Sequence, residues 1–342
     1  MTIKKLFAGI CIMSLAGVLI YIFMPFDNND NFYTKISGEI FHTTYNISYN
    51  SKENYSPKID SIWKDFSNSL NPFQKGSLIN RINENETDSI DFMIKHVWTT
   101  AFHLSQLTDG LYDVTCSPLI NAWGFGFKKD ILNEMTQDKI DSIKKIVGYK
   151  KIDIEDNRLI KTDKRMVIDF SSISKGYACD LVGQFLEKKN CMNYMVEIGG
   201  EITFNGFNPN GKPWKIGIEN PIDDSTCTRQ DVGTILYLKG KGGLATSGNY
   251  RNYHIIDGKK YGHIIDPISG YPKETDILSA TVVAPTCMLA DCLATACMLV
   301  GQRGISNLMR HYPEASYMII VSNNGKYETI MNNSFKSLLK EK

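Results

Sequence analysis

The chain contains the segment Cys287-Met-Leu-Ala-Asp-Cys-Leu-Ala-Thr-Ala-Cys-Met-Leu-Val300, which is apolar except for Asp291 and Thr295. Its apolar character predicts a buried helix, and residues four apart lie on the same face of a helix. An ionised carboxylate in such a helix is costly unless a partner compensates its charge. Oxygen ligands suit a hard cation such as Mg²⁺. The alternative is a solvated stripe on an amphipathic helix, and the segment alone leaves both open.

Strand patterns outnumber helix patterns in the rest of the chain. A period of 3.6 residues predicts helices over 57–70, 90–104, 140–147 and 175–189. A strand or a hairpin is predicted over 36–49. Further strands are predicted over 151–154, 165–170, 194–198, 201–205, 214–219, 234–238, 278–284, 315–321 and after 325, with a hairpin over 252–265 that turns at Asp257-Gly258. The many strands and short connections favour an α+β fold with substantial antiparallel sheet over a doubly wound fold.

The composition sets broad limits on the class of protein. A chain of 342 residues with 42% hydrophobic residues can bury a large core, in one big domain or two lobes. The net charge of +1, with no run of five basic residues, gives no reason to expect nucleic-acid binding. The eight cysteines include no C-x-x-C pair, which argues against zinc sites and thioredoxin-like chemistry. The seven cysteines outside the N-terminal apolar stretch are expected to be small buried residues.

The N-terminus predicts a membrane anchor. Two lysines precede Leu6–Met24, which carries no charge and is long enough to span a bilayer. Lysines on the N-terminal side keep that end in the cytoplasm, so the body is expected on the extracytoplasmic side. A cleaved signal peptide is the alternative, although no Ala-x-Ala-like site precedes the polar stretch that follows. The chain therefore divides into an anchor (1–26), a polar linker (27–35) and one domain (36–342).

The segment Asp169-Phe-Ser-Ser-Ile-Ser-Lys-Gly-Tyr-Ala178 is predicted to join a strand to a helix. Its serines could cap the helix, and free N–H groups at a helix start attract phosphate. Lys175 adds a positive charge at that point. The G-x-x-x-x-G-K spacing of a P-loop is missing. The alternative is an ordinary capped helix with a surface lysine.

Further segments could carry chemistry. Glu197-Ile-Gly-Gly-Glu201 places two carboxylates around glycines that either allow a ligand to approach or form a β-turn. Gly242–Gly248 is predicted to be a small-residue loop. His263 and Asp266 follow it, and a histidine can accept a proton near neutral pH, although a lone histidine is more often structural. A Ser/His/Asp hydrolase with Ser247 as nucleophile is conceivable, but no G-x-S-x-G elbow is present.

The segment Asp113–Gly126 is rich in glycine and aromatic residues. Together with Tyr112, its residues Trp123 and Phe125 could pack against a planar ring. The alternative is a loop that closes a core.

Taken in order, these segments resemble the ApbE-type FAD:protein FMN transferases, from about Phe41 to Gly301. Five motifs carry the resemblance: Leu111–Leu119 (family G-x-F/Y-D-x-T-x-x-P-L), Asp169–Asp180 (D-L-S-x-I-A-K-G-Y-A-x-D), Glu197–Glu201 (E-I-G-G-E), Ala245–Tyr253 with His263–Pro267 (A-T-S-G-D-Y-R-N-Y and H-I-I-D-P) and Ala290–Ala296 (A-D-A-L-A-T-A). Two segments depart from the family pattern. Phe41-His-Thr-Thr-Tyr45 stands where M-G-T-x-Y/W is usual, and Asn71–Arg81 matches only in part.

The resemblance implies an α+β fold related to the T-fold and Mg²⁺-dependent use of FAD. By analogy, the metal would be held by a main-chain oxygen of Ser172 and by side-chain oxygens of Asp291 and Thr295.

The resemblance also implies where the substrate binds. Lys175 would contact the FAD pyrophosphate, while Asp113 and the Glu197–Glu201 turn would line the flavin or adenosine pocket. Ser247 and His263 would lie near the reacting phosphate, with His263 as the base.

The implied reaction is phosphoryl transfer. A Thr or Ser hydroxyl of an acceptor protein attacks the FMN-side phosphorus of FAD, and AMP leaves. The expected acceptors carry D-G-x-x-[S/T]-G-A-T, as in subunits of redox-driven sodium pumps, and this chain lacks that signature. The implied location is the bacterial inner membrane, with the body on the periplasmic side. Two alternatives remain: a Mg²⁺-dependent FAD pyrophosphatase, and a membrane-tethered flavin-binding protein without catalysis.

Overall fold

A computed structural model describes residues 32–126, 135–221, 232–249, 253–256, 259–323 and 326–340. The predicted anchor (1–26), the first part of the linker and the turn Asp257-Gly258 lie outside the described residues. Within these ranges, no helix combines the length and the apolar character needed to cross a membrane.

The helices and strands follow the predicted α+β pattern. The helices are α1 (Ser56–Leu70), α2 (Leu78–Asn83), α3 (Phe92–Leu107), α4 (Ser117–Ala122), α5 (Gln137–Lys144), α6 (Ser174–Lys188), α7 (Cys287–Met309) and α8 (Asn333–Lys336). The strands are β1 (Thr34–Ile40), β2 (Thr43–Tyr49), β3 (Ile152–Glu155), β4 (Arg158–Lys161), β5 (Tyr194–Ile198), β6 (Glu201–Asn205), β7 (Trp214–Glu219), β8 (Val232–Leu238), β9 (Gly242–Gly248), β10 (Tyr253–Ile256), β11 (Lys259–Gly262), β12 (Ile277–Ala284), β13 (Ser316–Asn323) and β14 (Lys326–Met331). The sequence did not predict the short helices α2, α4 and α8 or the strand β4.

One antiparallel sheet of eight strands organises the domain, in the order β1-β2-β5-β6-β9-β12-β13-β14. The pairs β3-β4, β7-β8 and β10-β11 form separate two-stranded ladders. The sheet confirms the prediction of substantial antiparallel structure.

Both faces of the large sheet are buried. Successive residues of a strand point to opposite faces, and β13 shows the consequence. Ile319 and Val321 join the core that contains the helices α1, α3, α6 and α7. Met318 and Ile320 join a second core with residues of β7, β8 and α8. The domain therefore has three layers, with the sheet in the middle.

Glycines let α7 approach its neighbours closely. A Cβ atom at Gly176 of α6 would lie 2.4 Å from the carbonyl oxygen of Cys287, and one at Gly243 of β9 would lie 2.1 Å from the Cys287 nitrogen. The segment Gly242–Gly248 was predicted to be a loop, but it forms the central strand β9. Its small residues are explained by the close passage of α7 rather than by a turn.

The predicted strand Arg165–Phe170 is also wrong. The side chain of Asn83 donates to the carbonyl of Ile168 at 2.9 Å and accepts from its N–H at 2.8 Å. The Asp169 N–H donates to the Val114 carbonyl at 2.8 Å. The segment forms no strand, because a side chain and a loop satisfy its backbone where a neighbouring strand would otherwise be needed.

The cysteines behave as expected where they are described. Six are free and buried: Cys116, Cys179, Cys191, Cys287, Cys292 and Cys297. Cys227 lies outside the described residues.

Candidate active site

Asp291 is buried and caps a neighbouring helix. Its Oδ2 accepts the N–H of Gly176 at 3.0 Å, in the first turn of α6. The N-cap residue of α6 is Ile173, which offers no side-chain acceptor. An acceptor from α7 therefore satisfies an N–H that the helix leaves unpaired. This burial excludes the solvated stripe for Asp291 and confirms the buried helix.

The serines before α6 bond elsewhere, so their predicted capping is wrong. Ser171 Oγ donates to Asp169 Oδ1 at 2.5 Å. Ser172 Oγ lies 2.9 Å from the hydroxyl oxygen of Tyr112. Burial, followed by nearby anionic groups that include Asp291, raises the pKa of Tyr112. Gly176, four residues after Ser172, donates to Asp291, so the turn that contains Ser172 leads directly to the Asp291 helix, as the metal hypothesis requires.

Lys175 forms a buried ion pair with Glu201, the first residue of β6. The Nζ–Oε1 distance is 2.5 Å, and the two side chains are only 11% and 6% exposed. Burial alone would lower the pKa of Lys175, but the carboxylates of Glu201 and Asp291 outweigh it and raise the pKa. The neighbouring carboxylates therefore favour the charged form of the lysine, and its burial shows that the surface-lysine alternative is wrong.

Two carboxylates compete for this one cation. Burial raises the pKa of Asp291, against the opposing effects of Lys175 and the Gly176 N–H. Burial also raises the pKa of Glu201, against the opposing effect of Lys175. Glu201 Oε2 is buried and has no hydrogen-bond partner among the described residues. With all three groups ionised, the cluster carries one excess negative charge, which favours a further cation or a proton.

The Glu197–Glu201 segment forms a β-turn that also positions the carboxylate of Glu201. Gly199 and Gly200 have φ values of 58° and 105°, in the region that favours glycine. Glu197 Oε1 accepts the Gly200 N–H at 2.8 Å, and Oε2 accepts from Asn46 Nδ2 at 2.8 Å. Glu197 thus holds the turn that delivers Glu201 to Lys175. Its predicted place in a ligand pocket stays a prediction.

A pair of hydroxyls lies one helical turn from Asp291. Ser247 Oγ at the end of β9 and Thr295 Oγ1 on α7 are 2.9 Å apart. Several kinds of oxygen thus lie in this region. Asp291 offers a carboxylate, Thr295 and Ser247 offer hydroxyls, and the Ser172 turn offers a carbonyl. Mg²⁺ in proteins is held by one or two carboxylates together with water and substrate phosphates, so this donor set and the excess negative charge fit Mg²⁺. Within the described ranges, no cluster of three His, Cys, Asp or Glu residues forms a complete protein-only site.

Asp113 bonds to the loops that surround it. Its Oδ1 accepts the N–H and the hydroxyl of Thr115 at 2.8 and 2.7 Å, and Oδ2 accepts the Tyr149 N–H at 2.7 Å. The carboxylate joins the loop before α4 to the segment before β3. Its contact with flavin or adenosine stays a prediction.

The aromatic residues around α4 close a core. Trp123 and Phe125 are buried with residues of α4 and α5, and Trp123 Nε1 donates to the Gly270 carbonyl at 2.9 Å. Tyr112 is buried in the large helical core. These contacts favour the core-closing interpretation over a stacking surface.

His263 follows β11 and lies near the end of β9. Its ring centroid is 6.4 Å from that of Phe125 in an edge-to-face arrangement. A Cβ atom at Gly262 would lie 2.8 Å from Asn249 Cγ, two residues beyond Ser247. The structure thus brings the segments of His263 and Ser247 together, and the role of His263 as a base stays a prediction.

Asp266 stabilises its own turn. It accepts the N–H groups of Ile268 and Ser269 at 2.8 and 3.1 Å and pairs with Lys273 Nζ at 3.3 Å. These contacts assign it a structural role and weaken the Ser/His/Asp hydrolase alternative.

Comparison with known proteins decides the family. The ApbE family description matches residues 41–319. The chain belongs to the ApbE family. A Haemophilus influenzae protein named FAD:protein FMN transferase is 34% identical over 99% of both chains. The flavin transferase ApbE of Vibrio cholerae matches with a TM-score of 0.80 and 33% identity, covering 90% of this chain and 99% of that one. The apo flavinyl transferase ApbE of Pseudomonas stutzeri matches with a TM-score of 0.80 and 29% identity, covering 92% and 99%.

Two contacts of this ApbE chain were missed from the sequence. The first is the Lys175–Glu201 ion pair. The second is Asp180 of α6, whose two carboxylate oxygens accept the N–H groups of Cys287 and Met288 at 3.0 and 2.8 Å. Asp180 lies among buried apolar residues of α6, as Asp291 does in α7. That shared pattern was the signal that could have marked Asp180.

Proposed function

We propose that this ApbE-family protein is a Mg²⁺-dependent FAD:protein FMN transferase. It would attach FMN through a phosphoester bond to a Thr or Ser of an extracytoplasmic acceptor protein and release AMP. The name of the Haemophilus relative supports the activity. The observation that carries the proposal is the meeting of Lys175, Asp291 and the Ser247–Thr295 hydroxyl pair at one end of the sheet.

Asp291, Thr295 and a main-chain oxygen of Ser172 would hold the metal. When bound, Mg²⁺ neutralises phosphate oxygens and acts as a Lewis acid. Lys175 would contact the pyrophosphate. Because Glu201 holds its ammonium at 2.5 Å, the position of this donor is fixed before the substrate arrives, which is the condition for electrostatic stabilisation of a transition state.

The proposed reaction accounts for the proton of the acceptor hydroxyl and for the leaving group. The hydroxyl oxygen of the acceptor bonds to the FMN-side phosphorus, and the phosphoanhydride bond breaks. AMP leaves with the bridging oxygen. A ring nitrogen of His263 accepts the hydroxyl proton, since a neutral imidazole can act as a general base near neutral pH.

The proposed setting is the outer face of the inner membrane. Residues 6–24 would anchor the chain, and the acceptors would carry D-G-x-x-[S/T]-G-A-T, as in subunits of redox-driven sodium pumps. The charge-free length of the segment and the lysines before it support this location.

The test mixes the full chain in detergent with FAD, Mg²⁺ and a peptide that carries the acceptor signature. The expected product is a peptide that fluoresces like flavin after denaturation, with one AMP released for each label. A chelator should abolish labelling, and a peptide with Ala at the Thr/Ser position should stay unlabelled. Rapid AMP release without any peptide would instead identify an FAD pyrophosphatase. Flavin binding with neither label nor AMP would identify a non-catalytic binding protein.

A further inference from the structure

The candidate active site occupies one end of the large sheet. Glu201 begins β6 and Ser247 lies near the end of β9, and the register of these antiparallel strands puts both at the same end. The turn between β1 and β2 lies there too, because Gly199 N donates to the Thr44 carbonyl. We call this the reactive end. The opposite end, where β1 and β5 begin and β2 and β6 finish, is called the distal end.

The distal end carries a cavity of about 410 Å³. The residues that line it include Phe32, Tyr33, Lys52, Asn193 and Phe207. The Tyr33 hydroxyl donates to the Phe207 carbonyl at 2.8 Å. This bond ties the start of the described chain to the loop after β6.

Large apolar side chains are exposed around this cavity. Phe32, Met192 and Phe207 are 51%, 53% and 48% exposed. They lie together, because a Cβ atom at Gly206 would be 2.7 Å from the Met192 carbonyl oxygen. Lys52 Nζ lies 3.3 Å from the centroid of the Phe32 ring. Exposed apolar and aromatic side chains beside a lysine are a combination found in protein segments that lie in the membrane–water interface.

The sequence places this end close to the predicted anchor. Seven residues separate Met24 from Phe32, so the eight backbone steps between them reach at most about 29 Å. Phe32 therefore lies within that distance of the bilayer surface if residues 6–24 span it. Glu53 follows Lys52 directly, so apolar insertion rather than net charge would provide the attraction.

We propose that the distal end rests on the lipid headgroup region, with Phe32, Met192 and Phe207 entering the interface. The reactive end then faces away from the bilayer, toward the aqueous domains of acceptor proteins. The inference depends on the predicted anchor and is independent of the reaction. The partner it names is a zwitterionic phospholipid surface.

The test uses the full chain in nanodiscs of phosphatidylcholine, with or without bromine on the acyl carbons next to the headgroup. Phe207→Trp and Met192→Trp each place a reporter at the distal end. Phe73→Trp is the matched control, because Phe73 is 49% exposed and its ring lies 5.9 Å from that of His42 in the turn at the reactive end. The emission of the wild type is subtracted to remove the contribution of the native tryptophans. Circular dichroism checks that each variant is folded.

Brominated lipid is expected to quench the added emission of the two distal reporters and to leave that of Phe73→Trp unchanged. A mixture containing anionic lipid should give the same pattern. Equal quenching at both ends, stronger quenching at position 73, or no quenching of either distal reporter would overturn the proposal. Transfer to the acceptor peptide is measured separately, so a failure of this orientation is distinct from a failure of the proposed reaction.

Discussion

Asp180 and Asp291 cap each other's helices. Asp180 of α6 accepts the N–H groups of Cys287 and Met288 at the start of α7, and Asp291 of α7 accepts the N–H of Gly176 at the start of α6. Each carboxylate satisfies backbone donors that the other helix leaves unpaired. The exchange fixes how far one helix can slide along the other. It therefore also fixes the position of Asp291 relative to Lys175.

The Asp180 cap should make stability depend on pH. Burial raises the pKa of Asp180 from 3.8 to about 6, so the folded state holds the proton more tightly than the unfolded state. This contribution is complete below pH 3.8 and is lost as pH rises through 6, a change of about 3 kcal/mol. Measured by urea unfolding, the unfolding free energy of the wild type minus that of Asp180→Asn should fall by about this amount between pH 4 and 7, because the amide does not titrate. A difference that stays constant from pH 4 to 7 would exclude the linkage.

Asp291→Asn tests the negative charge of Asp291 separately from its hydrogen bond to Gly176. The amide oxygen can still accept the Gly176 N–H, but the negative charge is gone. We expect the transfer rate to fall about 100-fold or more, as when several kcal/mol of charge stabilisation is removed. Labelling of the acceptor peptide measures this. Asp163→Asn, at an exposed ion pair with Arg165, is the control and should retain full activity; an active Asp291→Asn would remove the metal assignment.

The buried charges predict unequal effects for the two partners of the ion pair. Lys175→Met leaves the carboxylates of Glu201 and Asp291 without a cation and should cost about 3–5 kcal/mol of unfolding free energy. Glu201→Gln leaves Lys175 beside Asp291 and should cost closer to ~1 kcal/mol. Urea unfolding at one pH compares them. Equal losses would show that Asp291 lies outside the cluster.

The hydroxyl of Thr295 should matter for the metal. Thr295→Val removes the bond to Ser247 and should raise the Mg²⁺ concentration for half-maximal transfer at least ~10-fold, since even outer-shell partners have effects of that size. Thr295→Ser should restore the wild-type requirement. Thr246→Val is a matched control, because Thr246 and Thr281 form another hydroxyl pair at 2.9 Å. It should lower stability by about 1 kcal/mol with an unchanged Mg²⁺ requirement, and a Thr295→Val variant that behaved in the same way would contradict the ligand role.

Two glycines of α6 should respond differently to alanine. At Gly176 a Cβ atom would lie 2.4 Å from the backbone oxygen of Cys287, so the helices must separate, at a cost of about 3 kcal/mol or more. At Gly183 the nearest atoms are side-chain atoms of Tyr194 and Thr203 at 3.0 and 3.1 Å. That strain is offset by a helix-propensity gain of ~1 kcal/mol. Thermal unfolding should show a large loss for Gly176→Ala and a small change for Gly183→Ala, and similar losses would refute the close helix contact.

Local sequence patterns predicted most of the helices and strands. The wrongly predicted elements share one cause, which is contact with a distant part of the chain. The apolar run around Asp291 predicted a helix, and the alternation over 36–49 predicted strand structure, because both patterns are properties of neighbouring residues. Gly242–Gly248 was predicted to be a loop since small residues are typical of turns. It is a strand because a helix from a distant part of the chain passes against it. Arg165–Phe170 looked like a strand, yet the side chain of Asn83 took the place of a neighbouring strand.

The sequence by itself determined the α+β class, the family and the identity of the polar residues, since motifs and periodicity are local. Only the tertiary structure decided which groups face one another. Lys175 was expected to meet a phosphate and is held by Glu201, and Asp291 caps a residue 115 positions earlier in the chain. The physical reason is that a buried charge takes its partner from whatever the packed backbone brings within a few ångströms, and sequence spacing does not encode that distance.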